Sequence, residues 1–472
     1  MNAPLPTGSR GLSRRGFLLG TGAGLAAGVP LTWLGLRGLD ALDQGHALLP
    51  SFTGRTVEDA HPSAAMPGPF PGRVIEVHRE DSVGPNGRIN APAVKGMMDR
   101  GMCELTGADA APEAWRRFFA PGDVVGIKVN PVGYRRRREV AGAISSPAVL
   151  LEAVAGLKSA GVKAGDIVVF ERYATEFREA GYEAVLRERA MDGVRWYASS
   201  QSGGDLQVDI EGYDGHRDRD PHVVGYDPDV FVHMGFATPS HDPKDDRRFR
   251  SHLSLIVSRM VNKFITIPVL KDHRSAGVTL ALKNISHGLN NNVARSHLSN
   301  IHRMDGAISG PNQCNTFIPT AASQLAIRQK ATLHILDGLI GVYEGGPGSW
   351  NSTWATWPQR SLFFATDPVA MDHVGWDIID AKRAREGWQP VAKMGLIQDT
   401  PAMRLSTRLA MLASCGPADA AALAVAGSHA EGGRQTEAFD RRQPEHIILA
   451  SMIGMGVFDA HRIEHRRIDL PT

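Results

Sequence analysis

The stretch from residue 271 to residue 302 concentrates the side chains best suited to chemistry. It contains Lys271-Asp272-His273, Lys283-Asn284, His287-Gly288, His297 and His302. Lysine offers a compact positive charge to carboxylate or phosphate oxygens. Histidine exchanges protons near neutral pH and ligates metals. Lys283 and His287 are four apart, so a helix through them puts both on one face. His287, His297 and His302 form a candidate metal-ligand set, although no His-Glu-x-x-His spacing is present. A solvated polar loop with ordinary histidines is the alternative reading of the same residues.

These groups need elements to position them, and the chain alternates short apolar runs with amphipathic segments. Strands are expected at 74–77, 124–129, 167–170, 264–270, 333–336 and 361–365. Ser146-Pro147 opens a helix through Leu150, Val154 and Leu157, with Ser146 as its cap and Gly161 as its end. Further helices are expected from about Thr175 to Arg189, from Val278 to His287, and from Asp367-Pro368 through Ile379. This rhythm predicts an α/β fold, a mostly parallel sheet flanked by helices with right-handed crossovers, and a helical C-terminal region.

Ligands of open α/β sheets bind beyond the carboxyl ends of the strands. That edge would receive Lys128 and Asn130, Glu171 and Arg172, Lys271 and His273, and Asp337. Asp367 fits a helix cap better than a reacting group. The Gly-rich turn Tyr343-Glu344-Gly345-Gly346-Pro347-Gly348 lacks the signatures of a nucleotide loop and fits a tight structural loop. Arg135 to Arg138 would make the mouth beside Lys128 electropositive if they lie near it.

The N-terminus reads as an address. Ser13-Arg14-Arg15-Gly16-Phe17-Leu18 is a twin-arginine pattern, followed by an apolar run to Leu36. That route carries folded proteins and is often used when a cofactor is loaded before export. No clear Ala-x-Ala cleavage site follows, so an uncleaved membrane anchor is an alternative. The expected layout is signal or anchor over 1–45, a Pro/Gly/Ser-rich linker over 46–70, an α/β domain over 71–390 and a helical region over 391–472.

Bulk properties narrow the function. A net charge of +2 argues against nucleic acid as the partner. Cys103, Cys314 and Cys415 are far apart with no Cys-x-x-Cys spacing, so a cysteine-ligated iron–sulfur cluster is not expected. No Gly-x-Ser-x-Gly elbow points to an α/β-hydrolase. The cofactor is open.

Several motifs resemble the domain of unknown function 362 family, many of whose members are exported bacterial proteins. They are Asp123 to Asn130, Ile265 to His273, Thr279 to Asn284, Ile335-Leu336-Asp337-Gly338 with Gly345-Gly346-Pro347, and Ala365 to Asp372. The resemblance spans residues 74–385. It implies an α/β domain in which the Lys-x-His and Lys-Asn elements lie close together, and it implies no particular activity. Some members carry a fused ferredoxin-like module, and this chain lacks the cysteine run such a module needs.

The expected function is that of an exported enzyme, oxidoreductases included, acting on a small anionic substrate. His273, Lys283 and Asp337 are the candidate catalytic residues. Lys128, Asn130, Lys271 and Asn284 are the candidate substrate-binding residues. The alternatives are a non-catalytic periplasmic binding or accessory protein, and a metalloprotein using His287, His297 and His302. The expected partners are the twin-arginine translocation machinery and a small anion.

Overall fold

The computed structural model describes residues 66–134, 142–188, 193–202, 220–234, 244, 246–273, 276–293, 296, 313–349, 353–393 and 444–472. These fall in one compact unit, Pro50–Thr472, and the unit Met1–Leu49 lies outside the described residues. The twin-arginine segment, Arg135 to Arg138, His297, His302 and Cys415 also lie outside them.

The fold is α/β. Its first strands are β1 (Arg73–Arg79), β2 (Val125–Lys128), β3 (Ile167–Tyr173), β4 (Arg195–Ser200), β5 (Tyr226–His233) and β6 (Arg250–Ser254). The chain continues with β7 (Lys263–Thr266), β8 (Val269–His273), β9 (Gly277–Val278), β10 (Ala331–Glu344), β11 (Ala355–Ala365) and β12 (Glu464–Leu470). The helices used below are α1 (Ala91–Thr106), α2 (Ala111–Arg116), α3 (Pro147–Ser159), α4 (Ala174–Glu179) and α5 (Tyr182–Glu188). They are followed by α6 (Ala281–Ser286), α7 (Gln313–Ala322), α8 (Leu325–Lys330), α9 (Pro368–Arg385) and α10 (Glu445–Met452).

A ten-stranded sheet runs in the order β12-β1-β11-β10-β7-β2-β3-β4, with β8 also paired to β10 and to β9. From β10 through β7, β2 and β3 to β4 every neighbour is parallel. β11 is antiparallel to both β10 and β1, so the sheet is mixed but mostly parallel. All four residues of β2 are buried, as suits a parallel strand with helices over both faces.

Several elements differ from the sequence reading for identifiable reasons. The expected strand 264–270 is two strands, because Pro268 has no N–H to give the ladder. Ile267 N donates to Lys128 O, and Asp337 N donates to Pro268 O, so the break is bridged by hydrogen bonds on both sides. The expected helix 175–189 is broken at Gly181, whose φ of +88° is left-handed. The C-terminal region is not simply helical. Within its described part, α10 is followed by β12, which pairs parallel and in register with β1. Residues 464–470 escape an apolar-run search because an edge strand tolerates charge on its open side. Only Ile468 and Leu470 of this strand pack against the core.

Two buried carboxylates start the helices that matter most. Asp367 caps α9 by accepting from Val369 N and Ala370 N, and also holds Gly72 N and Val457 N. Asp372, within α9, reaches α6 and accepts from Ala281 N at 2.7 Å and Leu282 N at 3.0 Å. Burial pushes the Asp372 carboxyl up to about 8, against the pull of those two N–H groups. Its oxygens set where the α6 turn begins. Asp372→Leu leaves both N–H groups buried without an acceptor and should cost about 2–4 kcal/mol. Asp372→Asn keeps one acceptor oxygen and should cost less than half as much, as read from urea midpoints.

Candidate functional site

The carboxyl ends of β2, β3 and β8 meet the start of α6 at one edge of the sheet. Lys128, the last residue of β2, donates to Glu171 Oε2 at 2.7 Å, to Val129 O at 2.7 Å and to Asn284 Oδ1 at 3.3 Å. Burial pulls the Lys128 ammonium below its ordinary range, and Glu171 opposes that pull. The other Glu171 oxygen accepts from Arg172 N at 2.7 Å. This ion pair ties two neighbouring strands together and uses up both charges.

Lys271, on β8, donates to the carbonyls of Val132 and Ala143. Burial lowers its ammonium to about 7, and the nearby Lys283 lowers it further, while Glu176 and Glu171 raise it. Strand alternation places Asp272 on the other face, where its Oδ1 accepts from Gly346 N at 2.6 Å. A Cβ at Gly346 would sit 2.0 Å from Asp272 O. The Gly345-Gly346 turn is therefore shaped by its close approach to β8 and is a structural loop.

Lys283 behaves differently from the other two lysines. It is only 8% exposed, yet its ammonium has no hydrogen-bond acceptor among the described residues. Burial lowers it to about 8; Cys314 on α7 raises it and Arg172 lowers it. Its neighbour Asn284 gives its Oδ1 to Lys128 and leaves a buried Nδ2 without an acceptor. Two donors on consecutive residues of one short helix thus remain open.

Glu176, on α4, was not among the sequence-predicted site residues. It is partly buried and lies close enough to Glu171, Arg172, Lys128 and Lys271 to feel their charges. Burial is the larger cause, and Glu171 the second, of a carboxyl pushed up to about 7. No hydrogen bond of its side chain is found among the described residues. Its signal in the sequence was its place: it follows the strand end Glu171-Arg172 by one helical turn.

Other predicted residues occupy different positions. Asn130 closes the turn after β2, with Oδ1 accepting from Val132 N and its own N–H donating to Ser145 Oγ. Asp337 gives one oxygen to Ser146 N at 2.6 Å and the other to Leu339 N at 3.0 Å. Burial raises its carboxyl to about 6. Asp337 therefore holds the start of α3 against β10, where the sequence reading made it catalytic. His273 accepts from Ala276 N at its Nδ1 and closes the turn from β8 to β9. His287 has Ser286 Oγ at 3.2 Å from Nδ1 and Ser296 Oγ at 2.8 Å from Nε2. Both ring nitrogens thus face serine hydroxyls, and the other two histidines of the expected metal set lie outside the described residues. Among the described residues no group of three His, Cys, Asp or Glu side chains could hold a metal ion.

A separate groove of about 640 Å³ lies beside β1, β11, β12 and α9. Its buried acid, Glu76, is already held by Ser361, His465 and Arg467. The open donors lie at the lysine edge instead.

Two measurements follow from this geometry. Lys128→Met alone strands a buried Glu171 and should cost about 3–5 kcal/mol in urea denaturation. The double variant Lys128→Met/Glu171→Gln should recover most of that loss, since neither charge is then left unpaired. The second concerns Glu176. Its carboxyl releases its proton near 7 in the folded state, against an ordinary 4.5. The folded chain thus holds an extra proton between those values, and the associated stability, complete below the unfolded value, is lost as pH rises through 7. Between pH 5 and pH 8 the wild type should lose stability relative to Glu176→Gln. Parallel stability–pH curves would show that the carboxyl is charged throughout.

Comparison with known proteins gives the edge a family context without a chemistry. No curated protein matches the chain. Among solved structures it is similar to a crystal structure of a Thermotoga maritima protein, determined as a structural-genomics target. That match has 10% identity and a TM-score of 0.35, and covers 63% of this chain and 59% of the other. The chain therefore spans less than two thirds of that protein. The family model described as a domain of unknown function, DUF362, matches residues 245–377. Those residues run from just before β6 into α9 and include Lys271, Lys283, Asn284 and Asp372. The matched family is the one that the sequence motifs resemble.

Proposed function

We propose that the chain is an exported enzyme that binds a small anion at the Lys283 edge and moves a proton on it with Glu176. The observation that carries the reading is the Lys283 ammonium, on a residue only 8% exposed, which has no acceptor of its own among the described residues. A bound anion would supply that acceptor through a charge-assisted hydrogen bond.

The neighbouring groups support a division of labour. Lys128 and Lys271 are satisfied by protein acceptors, so they shape the field at the edge and do not compete for the ligand. Lys283, lowered to about 8, is mostly charged at neutral pH and suits a carboxylate or phosphate oxygen. Asn284 Nδ2 offers a neutral donor beside it. Glu176, at about 7, is poised to give or take a proton near neutral pH. The reaction class is left at proton transfer, which suits several chemistries, oxidoreduction included.

Export rests on Ser13-Arg14-Arg15-Gly16-Phe17-Leu18 and the apolar run that follows. Periplasmic residence, with or without retention on the inner membrane through that run, is part of the proposal.

Binding tests the reading before any reaction is known. Calorimetric titration of the full chain with inorganic phosphate, acetate, glycolate, methyl phosphate and 2-hydroxyethyl phosphate should find at least one ligand. Lys283→Met should weaken that ligand about tenfold or more, a loss of 1.4 kcal/mol, with a melting temperature equal to or above the wild type's. No binding of any probe to the wild type, or equal binding to the variant, sinks the proposal. A Glu176→Gln variant that binds like the wild type fits proton transfer, whereas one that loses binding makes Glu176 a ligand-holding group.

A further inference from the structure

Near Lys283 lies a second group whose hydrogen bonds are missing. His446, on α10, is fully buried, and neither of its ring nitrogens has a hydrogen-bond partner among the described residues. Its backbone N–H is used, donating to Asn315 Oδ1 at 3.3 Å, so α10 is pinned to α7 at this residue. Asn315 Nδ2 in turn donates to Glu445 Oε2 at 3.2 Å. The ring is thus held by its own backbone and not by its nitrogens.

The ring lies close enough to Lys283 for the ammonium to oppose its protonation, and burial opposes it more strongly, lowering it to about 3. His446 is therefore a neutral imidazole, with one N–H donor and one lone pair. Buried imidazoles are normally satisfied at both atoms. Here the nearby chain offers a cation, which cannot accept a hydrogen bond, and the Cys314 thiol, which burial raises to about 11 and which donates to Ser296 O at 3.2 Å.

We propose that His446 is a ligand-contacting residue of the Lys283 site, hydrogen-bonding a hydroxyl on the small carboxylate or phosphate whose charge Lys283 holds. This rests on the anion-binding reading above and adds the ligand's second feature. A neutral imidazole beside an ammonium contributes nothing to a bare anion's charge. It does complement a hydroxyl, which both donates and accepts. Sites built to hydrogen-bond a hydroxyl discriminate strongly against ligands lacking it. The ligand class is thus a small hydroxylated anion, and the protein contributes the recognition element from far along the chain.

The test pairs probes that differ by one hydroxyl: glycolate against acetate, and 2-hydroxyethyl phosphate against methyl phosphate. The two pairs separate a carboxylate from a phosphate source. In the full-length wild type, the hydroxylated member of the preferred pair should bind about tenfold tighter. His446→Leu should erase that preference, leave the unhydroxylated probe unchanged, and raise the melting temperature, because an unsatisfied polar ring has been removed. His446→Asn should restore part of the preference. A purely structural histidine would lower the melting temperature on replacement and leave the preference intact, and that result overturns the inference. Wild type that binds none of the probes defeats the anion-site reading itself. Wild type that binds, loses binding with Lys283→Met, and is unaffected by His446→Leu defeats only the role given to His446.

Discussion

The ion pair between Lys128 and Glu171 determines what the carboxyl edge of this sheet can do. Two adjacent parallel strands carry opposite charges near their carboxyl ends, 2.7 Å apart and screened from water. A buried pair of this kind contributes little net stability, but breaking it is expensive. Its effect is therefore positional. It fixes the edge of β2 against that of β3, engages Asn284 through the remaining Lys128 hydrogen, and sets the electrostatic background for the rest. Glu176 holds its proton partly because Glu171 is already charged. Lys271 turns to backbone carbonyls, leaving Lys283 as the lysine of this cluster without an acceptor among the described residues.

The carboxylates of the interior divide along similar lines. Asp337, Asp367 and Asp372 each face backbone N–H groups and each starts or docks a helix. They convert buried acceptor oxygens into placement. Asp372 matters most for the edge, since the short α6 turn carrying Lys283 and Asn284 begins where its oxygens reach. A six-residue helix has little intrinsic stability of its own, so its orientation is borrowed from α9. The open donors of α6 are thus held rigid by a carboxylate on another element, as a site that must not collapse around its own charges requires.

Much of this was legible in the residues. Apolar runs found β2, β3, β10 and β11, and Ser146-Pro147 and Asp367-Pro368 announced α3 and α9 with their caps. Lys128 and Lys271 stood out at strand ends, Lys283 and Asn284 in the dense polar stretch 271–302, where Lys283 is four residues before His287. Glu176 and His446 were missed for physical reasons. Each lies on an ordinary amphipathic turn with no motif, and its character comes from neighbours distant in sequence. Asn130 follows its strand as the residues suggested and Asp337 lies within β10, and both accept backbone N–H groups there. β12 was missed because its apolar residues are few and its pairing is with a strand almost four hundred residues earlier, as the contact between Glu76 and His465 shows (|i−j| = 389).

That last pairing has a consequence for how the molecule comes into being. β1 lies between β11 and β12, both synthesised long after it, and its near contact with β11 already spans 283 residues (His78 to Ser361). During synthesis β1 must therefore wait without a neighbour while β2, β3 and β4 can zip together locally. Long-range pairing of this type slows folding and leaves unpaired strand edges exposed in the interval. The α10 helix that carries His446 ends at Met452, and β12 begins soon after at Glu464. The helix carrying His446 and the last strand of the sheet thus emerge together, and a chain cut short before residue 445 has neither.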